Sequence, residues 1–172
     1  QIRVDADNNT TDEFAINNGA NAKVFSVDED GDVYIKGNLD VRAGADVAEE
    51  FSAEENYPAG TVLIMADQGY KSARASDRPY DSRVIGVVSD KPAIVMGKVA
   101  GEQKAVVALV GAVKVKVTAE NGQIKKGDLL TTSSVLGRAM KATENKPGAM
   151  IGKALEDLKG SQGEIMVLIN LQ

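Results

Sequence analysis

Apolar residues near the start of the chain recur at every second position. Ile2 and Val4 begin the pattern, Phe14 and Ile16 resume it, and Phe25 and Val27, Val33 and Ile35, and Leu39 and Val41 continue it. Turn-forming runs separate the pairs: the polar stretch 5–12, Asn17-Asn18-Gly19, Asp28-Glu29-Asp30-Gly31-Asp32 and Gly37-Asn38. Short period-two runs bounded by Asn, Asp and Gly predict a succession of short strands with tight turns between them. At Asp46 the pattern changes. Asp46 can cap a helix, Glu49 stands at the capping-box spacing, and Val47 and Phe51 lie four apart. Residues 46–51 are therefore predicted to form one short helix.

Beyond Pro58-Ala59-Gly60 the strands become more apolar. Residues 61–65 and 83–88 read as strands, with a charged loop at 74–81 between them. Residues 105–117 form a long run whose second half alternates valine with lysine. That half should bury one face and wet the other, whereas the first half is apolar on both faces, as in a central strand. Gly111 marks a place where this strand can bulge and bend. Residues 119–122 make a turn, and 164–171 should be a core strand that closes the fold.

Part of this pattern occurs twice. Gly60 matches Gly127 and Ala75 matches Ala142 at a separation of 67, while Gly86 matches Gly152 at 66. Val84-Ile85-Gly86 aligns with Met150-Ile151-Gly152, and a further echo pairs the run from Gln103 with the run from Gln162. Two copies are too few for a solenoid. The expected architecture is mostly β. A β-hairpin arm (1–45) precedes an internally duplicated barrel-like or clip-like domain (46–172), with repeats at about 60–110 and 127–170.

Composition narrows the chemistry. At 172 residues and 43% hydrophobic content the chain can build a core, but with 4% aromatics and no tryptophan that core must be aliphatic. Cysteine and histidine are both absent, which leaves no disulfide, thiolate ligand or imidazole base. A net charge of −5 argues against nucleic acid as a partner. No apolar run reaches the roughly 20 residues that span a bilayer, so no membrane insertion is expected. The chain begins at Gln1 rather than methionine, which suggests a mature or excised piece of something longer.

The arm's strands each offer about two inward apolar residues, too few to form a core alone. Phe14, Ile16, Phe25, Val27, Val33, Ile35, Leu39 and Val41 are thus expected to meet other copies of the chain. Acidic clusters invite a calcium reading at Asp5, Asp7, Asn9 and Asp12, and at Asp28, Asp30 and Asp32. An EF-hand loop needs glycine sixth and glutamate twelfth. Those places hold Thr10 and Ile16 in one cluster and Val33 and Leu39 in the other, so no metal site is expected.

The run from Phe25 to Leu39 resembles the hairpin repeats of phage tail-fibre and spike proteins. Asp46-Val47-Ala48-Glu49-Glu50-Phe51, followed by the strand at 84–89, resembles the start of the carboxy-terminal chaperone domains of phage neck appendages. Gly127-Asp128-Leu129-Leu130 is similar to segments that end large bacterial surface proteins. The resemblance implies trimeric assembly, a chaperone-like role and, in some members, self-cleavage. Asp81-Ser82-Arg83 has suitable residue types for that reaction but lies inside the duplicated domain. Ser26 with Glu29 lacks the expected aspartate before it and arginine after it, so no catalytic residue is carried over.

Three functions follow. The leading one is a structural, self-associating component of an extracellular or virion fibre, a homotrimer or a filament with a donated amino-terminal strand. The second is a module binding cell-surface glycan through Tyr57, Tyr70, Arg74, Arg78 and Tyr80. An enzyme without cofactor would need a carboxylate or serine-lysine pair, and no spacing singles one out.

Overall fold

The computed structural model describes residues 12–171, which fall into two compact units divided between Val41 and Arg42. All the regular structure among these residues is β. Ile2, Val4, Asp5, Asp7 and Asn9 lie outside the described residues.

The first unit is an antiparallel sheet of β1 (Glu13–Asn17), β2 (Lys23–Asp28) and β3 (Val33–Ile35), in that order. Side-chain caps make its turns. The Asn18 Oδ1 accepts the N–H groups of Ala20 and Ala22 at 3.0 and 3.1 Å. The Asp28 Oδ1 accepts the Asp32 N–H at 2.9 Å while Gly31 takes a φ of +88°. Such Asx turns are what short polar side chains do between strands. The alternation at Leu39 and Val41 does not make a strand. The last ladder bond runs from the Lys36 N–H to the Val24 carbonyl, and without a pairing partner period-two spacing alone builds nothing.

The second unit contains β4 (Asp46–Ala53), β5 (Val62–Met65), β6 (Ser72–Ala75), β7 (Val84–Val88), β8 (Ile94–Met96) and the fifteen-residue β9 (Lys104–Thr118). It continues with β10 (Leu129–Thr132), β11 (Ala139–Lys141), β12 (Met150–Ala154) and β13 (Gln162–Asn170). Their pairings close two rings on β9. One runs β9-β7-β5-β6-β4 and back to β9; the other runs β9-β13-β12-β10-β11 and back to β9. The protein thus builds two five-stranded barrels that share one long strand. Closure removes most of the sheet edges that would otherwise pair with other chains.

The expected helix at 46–51 is absent, and those residues open β4. Seven consecutive residues from Asp46 pair with β9, which outweighs a local capping pattern worth about 1 kcal/mol. The glutamates that suggested a capping box find partners on other segments instead. Glu49 pairs with Lys71, and the Glu50 carboxylate accepts the Val99 N–H at 2.7 Å.

Hydrogen bonds recur in the two barrels at matching offsets. Leu63 faces Gly86 and Leu130 faces Gly152, with a register shift immediately after each leucine. The Val88 N–H donates to the Thr61 carbonyl, and the Ala154 N–H to that of Asp128, both at 2.9 Å. The Ser89 N–H donates to Val106 and the Leu155 N–H to Met166, a spacing of 60 on the acceptor side. The spacing of Gln103 and Gln162 is 59, one residue less than this.

The core follows the rings. Leu63, Ala73, Val107 and Ala105 form one cluster, flanked by Phe51 and Leu109. Val113, Val115 and Val117 with Ile165, Val167 and Ile169 lie in a larger one, which also takes Val62, Ile64, Val84 and Val87. Strands β5 and β7 are therefore buried on both faces, which accounts for their unbroken apolar runs. The register shift in β9 falls at Leu109. Gly111 is needed for a different reason: at φ +124°, an added Cβ would lie 2.6 Å from the Asp46 Cα.

Candidate functional site

Register places six of the predicted arm residues on one face of the β1-β2-β3 sheet. Phe14, Val27 and Val33 form one cross-strand row; Ile16, Phe25 and Ile35 form the next. Directly opposed residues share a face, so the six make one apolar surface. Val33 is 57% exposed and Ile16 48%. Leu39 and Val41, also predicted arm residues, are exposed outside the strands. The opposite face is polar: Lys23 pairs with Glu13 at 2.8 Å and stands 5.7 Å from the Tyr34 ring centre. That lysine bond holds the Glu13 carboxyl below its usual range. Ser26 is buried in this unit.

The charged loop between β6 and β7 brings Arg74, Arg78 and Arg83 to one cleft of about 370 Å³ with Asp67 and Asp77. Asp81 anchors it from within. Its Oδ2 accepts from the Arg78 Nε at 2.7 Å and from an Arg83 terminal nitrogen at 3.0 Å, and its Oδ1 accepts the Arg83 backbone N–H at 2.9 Å. Burial raises the affinity of this carboxylate for a proton, but those donors outweigh it and hold its pKa far below the ordinary aspartate value. Each arginine has an aspartate partner: Arg74 with Asp77, Arg78 with Asp81, and Arg83 with both Asp81 and Asp67. An incoming anion would have to displace a carboxylate. The loop also clamps the two barrels together, because the Asp81 N–H donates to the Thr132 Oγ1 at 2.8 Å. The Tyr80 hydroxyl accepts the Thr143 N–H at the same distance.

The predicted glycan-loop residues therefore fall in different settings. Arg74 and Arg78 line the arginine cleft, and Tyr80 lines the adjoining one with Lys146. Tyr57 packs against the first barrel's core, where burial pushes its phenol pKa up. Tyr70 is 92% exposed.

A third site has no counterpart among the sequence candidates. Asp46 is 4% exposed and lines a cleft of about 450 Å³ with Gly44, Ser89, Lys91, Lys114 and Met166. Its Oδ1 accepts the Ser89 hydroxyl at 3.1 Å, and its Oδ2 has no hydrogen-bond partner. Burial pushes its pKa up, and the Ser89 bond offsets part of that shift. The local helix-like pattern around this aspartate gave no signal of its burial.

No protein-family model matches the chain, and no curated protein matches it. Among solved structures, the crystal structure of the pre-mature bacteriophage phi29 gene product 12 matches with a TM-score of 0.65. The fold is shared with a phage protein. The match covers 87% of this chain at 14% identity and 25% of the phage chain, so this chain spans about a quarter of that protein's length. At that identity the likeness carries the fold alone.

Proposed function

We propose that this chain is a structural component of a virion or extracellular fibre and works by self-association into a homotrimer. The observation that carries this reading is the six-residue apolar face of the arm sheet, on which Ile16, Val33 and Ile35 are exposed and Phe14, Phe25 and Val27 half-buried. A three-stranded sheet with one such face is marginal alone and gains stability when a neighbour covers it. Likeness in fold to a phage gene product supports the virion setting. In this reading the two barrels are copies of one five-stranded unit. Strand β4 and the second half of β9 hold equivalent places, each antiparallel to one neighbour and parallel to another. The proposal assigns the chain no catalytic role and no cofactor.

Light scattering and electron microscopy of the intact chain, beside a Val33→Glu, Ile35→Glu double variant, test the proposal. Closed trimers that dissociate in the double variant are expected. A parent chain that stays monomeric at high concentration would overturn it. Long filaments would replace the trimer with an open assembly built on donated strands. The glycan reading draws on Tyr70, whose ring is free to stack on a sugar. Glycan-array binding by a monomer, lost in Tyr70→Ala, would favour it.

A further inference from the structure

The two units differ sharply in charge. Residues 1–41 carry three basic and nine acidic side chains, a net −6, whereas residues 42–172 carry seventeen and sixteen, a net +1. Four of the arm's nine acidic side chains sit in the turn Asp28-Glu29-Asp30-Gly31-Asp32, at one end of its apolar face.

The barrel unit has an apolar surface of the opposite electrical character. On one side of the sheet the pairing β10-β12-β13-β9 sets Leu129, Lys153, Leu168 and Ala112 in a row. The next row runs Asn170, Val110, Val47 and Ile94 across β13, β9, β4 and β8. Met166 and Lys114 begin a third. Val110 is 50% exposed, Leu168 44%, Ile94 40% and Leu129 38%, an unusual density of large apolar side chains on a water-facing sheet. The exposed charges within these rows are the two lysines, Lys114 and Lys153.

We propose that this lysine-bearing sheet face receives the apolar face of the arm sheet from a second copy of the chain. The inference rests on the self-association reading and names the surface that completes it. Two half-buried sheets packed face to face satisfy both apolar surfaces at once. Charge then selects the partner. The acidic turn of the arm is drawn to Lys114 and Lys153, whereas two barrel faces would set lysine against lysine, and two arm sheets placed in parallel would set their acidic turns side by side. Each chain has one arm and one receiving face, so the contact is heterologous. It closes into a ring or propagates as a filament according to the rotation between copies.

Carbodiimide coupling of carboxylate to amine in a mixture of ¹⁴N- and ¹⁵N-labelled chains tests the contact. Mixed-label cross-links from Asp30 or Asp32 to Lys153 or Lys114 are expected. Leu168→Asp should weaken self-association roughly tenfold, the size of effect typical of a central interface residue. Lys153→Glu should weaken it also and be partly rescued by Asp30→Lys. Cross-links confined to a single label would place the arm on its own barrel and overturn the proposal. So would oligomers that neither cross-link at these pairs nor respond to Leu168→Asp; in that case self-association would stand and occur through another surface. A parent chain monomeric at all concentrations would remove both. Thermal melting of each variant separates a lost contact from a lost fold.

Discussion

Glycine 152 offers the sharpest test of how the barrels are packed. A Cβ at this position would sit 2.1 Å from the Leu168 carbonyl oxygen and 3.0 Å from the Ile169 Cα. Both atoms are backbone of β13, which is itself held on its other edge by nine residue pairs with β9. Neither strand can yield separately. The clash must be relieved by pushing β12 from β13, which weakens the pairing of Gly152 with Ile169 and of Lys153 with Leu168. Overpacking a rigid core commonly costs about 1–3 kcal/mol, and a backbone clash belongs at or above the top of that range. For a chain of this size roughly 3 kcal/mol corresponds to a fall in melting temperature of about 6–12 °C.

The matching residue in the first barrel makes the same approach. A Cβ at Gly86 would lie 2.3 Å from the Ala108 carbonyl oxygen, and its φ of +142° adds strain. Gly86→Ala should therefore lower stability at least as much as Gly152→Ala. Gly122 is the control: its φ is +97°, but an added Cβ meets nothing within 4 Å. Gly122→Ala should cost only the backbone term, about 1–2 kcal/mol. Denaturant unfolding and thermal melting followed by circular dichroism would read all three. If Gly152→Ala melts no lower than Gly122→Ala, the close approach of β12 to β13 is wrong, and with it the shared geometry of the two barrels.

Two further outcomes follow from buried carboxylates. Asp81→Asn should cost about 1.5–3 kcal/mol near neutral pH, because it removes the charge-assisted hydrogen bonds from Arg83 and Arg78 to a buried carboxylate. Since the folded pKa of Asp81 is depressed, its contribution is present above the ordinary aspartate value of 3.8 and lost as pH falls below it. Unfolding curves from pH 2 to 6 should be flatter in the variant, and parallel curves would refute the assignment. Asp46 has the opposite sign: its pKa is raised, so its contribution is full below 3.8 and declines as pH rises through the folded value. Asp46→Asn should remove that decline, and a variant with the parent's pH dependence would show that the pKa of Asp46 is not raised by folding.

What the sequence reveals about this fold divides according to which interaction decides each element. Strands fixed by side-chain pattern are legible. The valine-lysine alternation after Gly111 gives the second half of β9, and the two-sided apolar runs at 62–65 and 84–88 give β5 and β7. The apolar face of the arm is legible for the same reason, since alternating residues on adjacent strands converge wherever the strands pair. Elements fixed by a distant partner are not. Residues 46–51 carry a capping-box spacing and would be locally content as a helix. They are extended because the first barrel needs a fifth strand to close on β9.

The recurring offsets held the correction. The segment before the second set of matching glycines is the β-patterned second half of β9. A segment in the same place before the first set should be a strand too, and that place is β4. The same comparison would have exposed the burial of Asp46. It pairs with Gly111 where β9 passes from one barrel to the other, and a Cβ there would leave no room for it. Local propensity chose the helix because it counts only neighbours in sequence. Ring closure chose the strand because a four-stranded remnant would leave β6 and β9 with open edges beside an exposed core, a cost spread over many backbone groups and far larger than one cap.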